Sequence, residues 1–419
     1  MTPLTIAGII VAIVAFFVLL IWSIKRHRDP TLKVECDDSI EALMPSLAGL
    51  SLNCAVGGNS VEVHENGAFF DALIAEIDGA RKTVHFESFL WKEGKLGKRL
   101  ADAFIARARK GVEVRILLDA TGSSKMGDAT ARALADAGCR LEKFHRWHIQ
   151  NIGVMNERDH RKLAVIDGRV AFVGGHCIVD DWLGNAGEGQ VADVSVRLRG
   201  PIVNSVQAAF SENWVGQTGE LFMGEDVFPH QEPAGDVTIH AAFVKPEGSA
   251  PAVKLLHHAA ICCARKRIWI QNPYFIPEPE AIDAFGKAVE RGVDVRVLMP
   301  STSGSDNPIV QHAGHRNFEK LMRCGVRLFE YPSSLLHQKV ITIDGRWCAI
   351  GSANFDDRSF ETNDELTLAI LDQATAGKLD RIFEKFAAKA SEIELERWSR
   401  RSWGHKFVDN AYYLINEIL

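Results

Sequence analysis

The chain contains no Cys-x-x-Cys pair. Its eight cysteines, Cys36, Cys54, Cys139, Cys177, Cys262, Cys263, Cys324 and Cys348, are scattered over 419 residues. That distribution excludes a zinc ribbon and offers no disulfide framework, so reduced thiols in a cytosolic body are expected. A positive excess is also missing. The net charge of −6 gives no electrostatic reason to expect DNA or RNA as a partner, because such binding rests on neutralising phosphates. His312 and His315 could share a helix face, but no carboxylate or cysteine close in sequence completes a ligand set, and neither a metal nor a cofactor is expected.

Charge is absent altogether from residues 4–24. As a helix rising about 1.5 Å per residue, that run reaches about 30 Å, enough to cross a bilayer core. Met1-Thr2-Pro3 provides no basic start, and the run ends in no small-residue cleavage site, so an uncleaved transmembrane anchor over residues 1–28 is expected rather than a signal peptide. Lys25, Arg26 and Arg28 follow at once, which places the N-terminus outside and the body in the cytoplasm.

What is present is a core-forming chain, 47% hydrophobic, long enough for two to three domains. Beyond a linker at 29–59, helix-period and strand-like segments alternate. Phe70, Leu73, Ile74 and Ile77 form an apolar helix stripe, residues 83–90 read as a strand, Leu96, Leu100 and Phe104 form a second helix face, and 112–118 read as a buried strand. This is the logic of a β-α-β unit. The order then returns: Ala80-Arg81-Lys82 is matched by Ala264-Arg265-Lys266, and Gly111-Val112-Glu113-Val114-Arg115 by Gly292-Val293-Asp294-Val295-Arg296. The fold class expected is α/β, with two pseudo-symmetric αβα domains of mixed, largely parallel sheets, at 60–215 and 237–419. A Gly/Pro-rich linker at 216–236 separates them, and the largest insertion between the halves lies at 144–159. In the tail, Val408, Tyr412, Ile415 and Leu419 fall near helical spacing, which suits packing onto the body, with membrane contact as the alternative.

The repeat carries an unusual polar triplet. His160, Lys162 and Asp167 recur 177 residues later as His337, Lys339 and Asp344. Side chains two apart on a strand share a face, so each His/Lys pair can point into one cleft. Asp167-Gly168 and Asp344-Gly345 favour tight hairpin turns, giving the two Asp residues a structural role more than one in proton transfer. Two imidazoles across a phosphodiester can divide the labour: one attacks phosphorus and the other protonates the departing oxygen. The lysines supply the fixed positive charge that metal ions provide elsewhere. Glu365 is assigned as the orienting carboxylate of His337, and Asp193 as that of His160.

The motif His-x-Lys-x4-Asp-x6-Gly-Ser-x-Asn, complete as His337, Lys339, Asp344, Gly351, Ser352 and Asn354, resembles the phospholipase D superfamily. Asp356-Asp357-Arg358-Ser359-Phe360, Asn363-Asp364-Glu365, Asn272-Pro273-Tyr274-Phe275-Ile276-Pro277 and Glu87-Ser88-Phe89 resemble its bacterial cardiolipin synthase branch. The first half departs from the motif, with Gly174-Gly175-His176-Cys177 placing a thiol where the family has an amide. The resemblance implies a phosphatidyltransferase of the bacterial inner membrane acting on glycerophospholipids such as phosphatidylglycerol. It implies that His160 is the nucleophile and His337 the general acid/base, with Gly175, His176, Ser352, Asn354 and Tyr274 at the substrate phosphate. Phe89, Trp91, Tyr274 and Phe275 are candidates for an apolar approach to the cleft, and 301–308 for a gating loop. Hydrolysis by the same machinery and a non-catalytic phospholipid-binding scaffold are the alternatives. The oligomeric state is not legible.

Overall fold

In the computed structural model, residues 2–24, 32, 38–51, 53–145, 157–184, 190–244, 251–332 and 334–413 are described. Cys36, the basic flank Lys25, Arg26 and Arg28, most of the insertion at 144–159, and Ile415 and Leu419 of the tail lie outside them. The chain forms two compact units, Met1–Lys33 and Val34–Leu419. The first contains helix α1, Pro3–Ile24. Among the described residues no helix is long and apolar enough to cross a membrane.

The second unit begins with α2, Ile40–Leu50. The first half then runs β1 (Ala55–Glu65), α3 (Ala68–Gly79), β2 (Thr83–Ser88), α4 (Lys95–Ala108), β3 (Glu113–Asp119), α5 (Asp128–Asp136), β4 (Arg140–Phe144), β5 (Lys162–Ile166), β6 (Val170–Gly174), β7 (Val191–Ala192), β8 (Val194–Arg199) and α6 (Val203–Thr218). The second half runs β9 (Val237–Val244), α7 (Ala252–Cys263), β10 (Arg267–Gln271), α8 (Pro279–Glu290), β11 (Asp294–Pro300), α9 (Pro308–Arg323), β12 (Arg327–Tyr331), β13 (Leu335–Leu336), β14 (Val340–Ile343), β15 (Trp347–Gly351), α10 (Asp357–Glu361), β16 (Glu365–Leu371), α11 (Gln373–Ala387), β17 (Ser391–Glu392), α12 (Leu395–Ser399) and α13 (Trp403–Tyr413).

The two halves do not keep separate sheets. β1 and β9 pair antiparallel, joining everything except β7 and β13 into one 15-stranded sheet of order β17-β12-β11-β10-β14-β15-β16-β9-β1-β8-β6-β5-β2-β3-β4. The order is close to palindromic about the β9–β1 seam, as the repeat requires. The expectation of a largely parallel sheet needs correction. Within the 15-stranded sheet, β2/β3/β4 and β10/β11/β12 are the parallel pairs among the described residues, where helical crossovers connect the strands. The inner strands pair antiparallel, with β5/β6 and β14/β15 joined directly as hairpins.

Helices cover both faces. The stripe Phe70, Leu73 and Ile77 packs with Leu96, Leu100 and Phe104 in a first-half core. A second core gathers α7, α8 and part of α9, and recruits Ile40, Met44 and Leu47 of α2 across the seam. A third lies under α6 and α11, where Phe210 and Trp214 share one cluster with Leu379 and Phe383. Because that cluster draws on both halves, separating them would expose apolar surface at about 25 cal/mol per Å². The expected boundaries shift accordingly. Residues 29–59 contain α2 and the start of β1, and α6 continues to Thr218 before Gly219, at φ 69°, ends it. The linker that follows is pinned to the first half, where Gln231 Nε2 donates to Gly168 O at 2.6 Å.

Candidate active site

Each half delivers its histidine and lysine at the start of a hairpin. Asp167 and Gly168 have φ of 51° and 61°, and Asp344 and Gly345 of 54° and 67°, the left-handed pair that a two-residue hairpin turn demands. The Asp167 carboxylate accepts the backbone N–H groups of Arg81 (2.9 Å), Lys82 (2.7 Å) and Thr83 (3.0 Å). Asp344 accepts those of Arg265 (2.9 Å), Lys266 (2.7 Å) and Arg267 (2.9 Å). The third member of each triplet thus ties its hairpin to β2 or β10. It sits about 23 Å along the chain from the histidine, at about 3.3 Å per extended residue, and is not among the walls of the pocket.

At the other end of the hairpins the halves exchange partners. His160 Nδ1 donates to Glu365 Oε1 at 2.8 Å, and His337 Nδ1 donates to Asp193 Oδ2 at 2.7 Å. Both carboxylates expected from the sequence are therefore present, but each serves the histidine of the opposite half rather than its own. The reason is topological. A parallel bridge between Asp159 and Asp364 sets His160 beside Glu365, with His160 N donating to Asp364 O at 3.0 Å. The β13–β7 pair sets His337 beside Asp193, with His337 N donating to Ala192 O at 2.8 Å. Lys162 Nζ donates to His160 O at 2.6 Å and Lys339 Nζ to His337 O at 2.7 Å.

The electrostatics follow from burial. Desolvation pushes His160 down to about 4, with Lys162 and Lys339 adding to the shift and Glu365 opposing it. His337 is lowered well below the ordinary value by burial first, then by Lys339, Lys162 and His160. Burial and the charge of Lys162 bring Lys339 down to about 8 against Asp193. Burial would raise Glu365, but His160, Lys162 and Ser352 outweigh it and hold its carboxyl below the usual range. With Nδ1 committed to a carboxylate, each neutral imidazole keeps an Nε2 lone pair for chemistry.

Several expected substrate contacts instead support the carboxylates. Ser352 Oγ donates to Glu365 Oε2 at 2.5 Å and accepts Leu366 N–H at 3.0 Å. A Cβ on Gly175 would lie 2.3 Å from Asp193 Oδ1, so the glycine makes room for that carboxylate. His176 is corrected outright: it is buried, stacked on Phe69 with centroids 4.3 Å apart, and both its ring nitrogens are engaged, by Ser195 Oγ at 2.7 Å and Asn66 O at 3.0 Å. Cys177 is buried too, its Sγ 3.7 Å from Gly175 O. None of the described cysteines is in a disulfide.

The pocket has a volume of about 240 Å³; its walls include Phe89, Arg158, His160, Tyr274, Asn354 and Arg358. Asn354 and Tyr274 are placed there as expected, and Asn354 Oδ1 is buried without a hydrogen-bond partner among the described residues. Phe89 stands edge-on to His160, centroids 5.1 Å apart. Trp91 and Phe275, by contrast, are core residues. The loop at 301–308 reaches the pocket through Asn307, and Asp306 accepts the Tyr274 hydroxyl proton.

Four residues here were missed by sequence reasoning. Trp182 holds Asp193 with Nε1 at 3.0 Å and packs edge-on against His337 at 5.3 Å. Asn66 Oδ1 accepts Asp193 N–H at 3.0 Å. Arg158 and Arg358 face the same pocket, and the Arg358 guanidinium is lowered by burial first and then by the charge of Arg158. The repeat offset of 177 could have found the arginines, because it pairs Arg158 with Leu335 and Arg358 with Asp181. Both cations therefore break the pseudo-symmetry.

Comparison with known proteins agrees with this geometry. Residues 73–214 and 258–387 match the family described as "Cardiolipin synthase, PLD-like domain". The chain is 34% identical over 402 residues to cardiolipin synthase 2 of Bacillus anthracis, covering 94% of this chain and 78% of that one. It is 36% identical over 366 residues to cardiolipin synthase A of Pseudomonas entomophila (strain L48), covering 86% and 74%. Among solved structures, the phosphatidylserine synthase of Haemophilus influenzae Rd KW20 superposes with a TM-score of 0.67 at 13% identity, covering 88% of this chain and 98% of that one, a likeness of fold alone. Two histidines with crossed carboxylates, two lysines beside them and a match over both repeats agree: the chain belongs to the cardiolipin synthase family of PLD-like proteins.

Proposed function

We propose that the chain is a phosphatidyltransferase that makes cardiolipin from two phosphatidylglycerol molecules through a phosphohistidine. The observation that carries the reading is the crossed pair of hydrogen bonds, His160 to Glu365 and His337 to Asp193, by which each half orients the other half's imidazole. His160 Nε2 attacks phosphorus and the bond to the headgroup glycerol breaks, while His337, protonated at Nε2 when the anionic phosphodiester enters the site, gives that proton to the departing oxygen. A hydroxyl of the second lipid then returns its proton to His337 and attacks phosphorus, and the P–N bond breaks to free His160. Lys162 and Lys339 balance charge on the phosphoryl oxygens. Asn354, with its unpartnered amide oxygen, suits a substrate contact, and the guanidinium groups of Arg158 and Arg358 suit an anionic headgroup.

The charge-free run at 4–24 and the basic residues after it support an anchor in the inner membrane with a cytoplasmic catalytic body, which raises the encounter of the site with lipid. The deciding experiment supplies the purified full chain with phosphatidylglycerol vesicles. Cardiolipin with an equal amount of glycerol is expected, and His160→Ala abolishes it. Phosphatidic acid as the product would replace transfer with hydrolysis.

A further inference from the structure

Helix α13 leaves two large aromatic side chains in solvent. Trp403 is 80% and Phe407 60% exposed, and their rings stack with centroids 5.5 Å apart. Four residues apart on a helix, they share one face, and Val408 beside them is 38% exposed. The other side of the helix is fastened to the body. Asp409 is 2% exposed and accepts from His312 Nδ1 at 2.9 Å and Arg401 Nη1 at 2.8 Å, with His315 Nδ1 at 3.7 Å. The sequence shows no carboxylate near the two histidines because the chain brings one from 97 residues further on. Although His312, His315 and Asp409 are close enough together to suggest a metal site, Arg401 occupies the second carboxylate oxygen and its charge opposes a cation. The cluster is a clasp.

The clasp positions the aromatic pair with respect to the pocket. Tyr412 and Tyr413 pack on Ile276, Val310 and Ala313, and Ile276 and Val310 are themselves walls of the active-site pocket. The expected packing of the tail holds for Tyr412, whereas Val408 faces outward. Residues 397–406 also carry Arg397, Arg400 and Lys406, besides the Arg401 of the clasp, without a single carboxylate. A rigid helix beside a lipid-handling pocket thus presents aromatic rings next to a basic run, the combination that suits an anionic bilayer surface.

We infer that α13 is an interfacial foot: Trp403 and Phe407 enter the headgroup layer of an anionic glycerophospholipid bilayer and hold the pocket mouth against it. The inference rests on the lipid substrate proposed above. It assigns the foot a task separate from that of the anchor proposed above, because tethering alone does not fix which side of the body faces the lipid.

The test uses the full chain reconstituted in phosphatidylglycerol vesicles with or without bromine on the acyl chains. The fluorescence of Trp403 is isolated as the difference between the wild type and Trp403→Phe, so the other eight tryptophans cancel. Quenching of that difference by at least about twofold is expected, and a difference indifferent to bromine overturns the inference. In the double variant Trp403→Ser/Phe407→Ser, the ratio of turnover on vesicles to turnover on monomeric short-chain phosphatidylglycerol should fall about tenfold. The ratio cancels any loss of folded enzyme, and an unchanged ratio counts against the foot. A wild type that transfers with neither substrate form removes the enzymatic reading, while the quenching still decides the placement of α13. Absence of quenching together with a dimer that the double variant abolishes would assign the face to a second copy and overturn the proposal.

Discussion

His160 is hydrogen-bonded to Glu365, 205 residues away in the opposite half of the chain, at 2.8 Å. The converse bond from His337 to Asp193 spans 144 residues at 2.7 Å. Each half thus supplies the base of one pair and the carboxylate of the other, so damage to either half reaches both histidines.

Glu365→Gln should therefore disable His160 while its own half stays folded. The amide removes the charge that fixes the Nδ1–H tautomer, and kcat should fall by about 10- to 100-fold, the usual cost of losing such a partner. Asp193→Asn should do the same through His337. Turnover measured alongside the yield of a trapped phosphoenzyme checks the assignment; wild-type turnover in Glu365→Gln would show that the bond has no catalytic role.

Asp167→Ala and Asp344→Ala should lower stability without lowering kcat per folded molecule. Each substitution strands three backbone N–H groups, and an unsatisfied buried donor costs about 1–3 kcal/mol; the partial exposure of these turns favours the low end. Thermal unfolding and active-site titration separate the two quantities. A specific loss of kcat with unaltered melting would return these aspartates to the chemistry.

Acid should draw stability from the buried histidines, against opposition from Glu87, held up at about 7, and from Glu278, Asp356 and Asp357, each at about 6. His85, His160, His176 and His257 are each held at about 4, chiefly by burial. In the unfolded chain they titrate at about 6.5, so between about pH 6.5 and 4 the unfolded state binds more protons and stability falls as pH drops. The melting temperature in detergent is expected to decrease by several degrees from about pH 7 to about pH 5. A flat profile would show that these histidines gain partners on protonation.

Arg158→Gln and Arg358→Gln should weaken use of anionic lipid. Each removes a guanidinium from the pocket that His160 lines; losing one charged hydrogen bond of about 1.5 kcal/mol corresponds to a rise of about tenfold in KM for phosphatidylglycerol. Lysine at the same positions should restore part of it. Equal effects on anionic and neutral phospholipids would remove headgroup recognition from these residues.

The repeat, the hairpin turns and the identities of both histidine–lysine pairs were legible because they depend on local spacing. Asp167-Gly168 and Asp344-Gly345 could only form left-handed turns, and they did. The partnership of each carboxylate was not legible. It is set by the Asp159–Asp364 bridge and the β13–β7 pair, contacts between halves that no local pattern encodes. The same holds for Asp409, which reaches His312 only after α12 and α13 fold back. His176 misled for a related reason: its place beside Cys177 in the motif suggested substrate, whereas Phe69 stacks on its ring, Asn66, 110 residues earlier, takes Nε2 and Ser195 takes Nδ1.

The seam at β1–β9 continues one sheet through the whole body, and the carboxylates cross over that seam. A lone half would hold a histidine with no anion to orient it and an open strand edge seeking a mate. Such a fragment could gain activity only by meeting a copy of itself about a twofold axis, so the tandem chain is a tethered homodimer in which two sequences have since been free to diverge, as Arg158 opposite Leu335 and Arg358 opposite Asp181 already have.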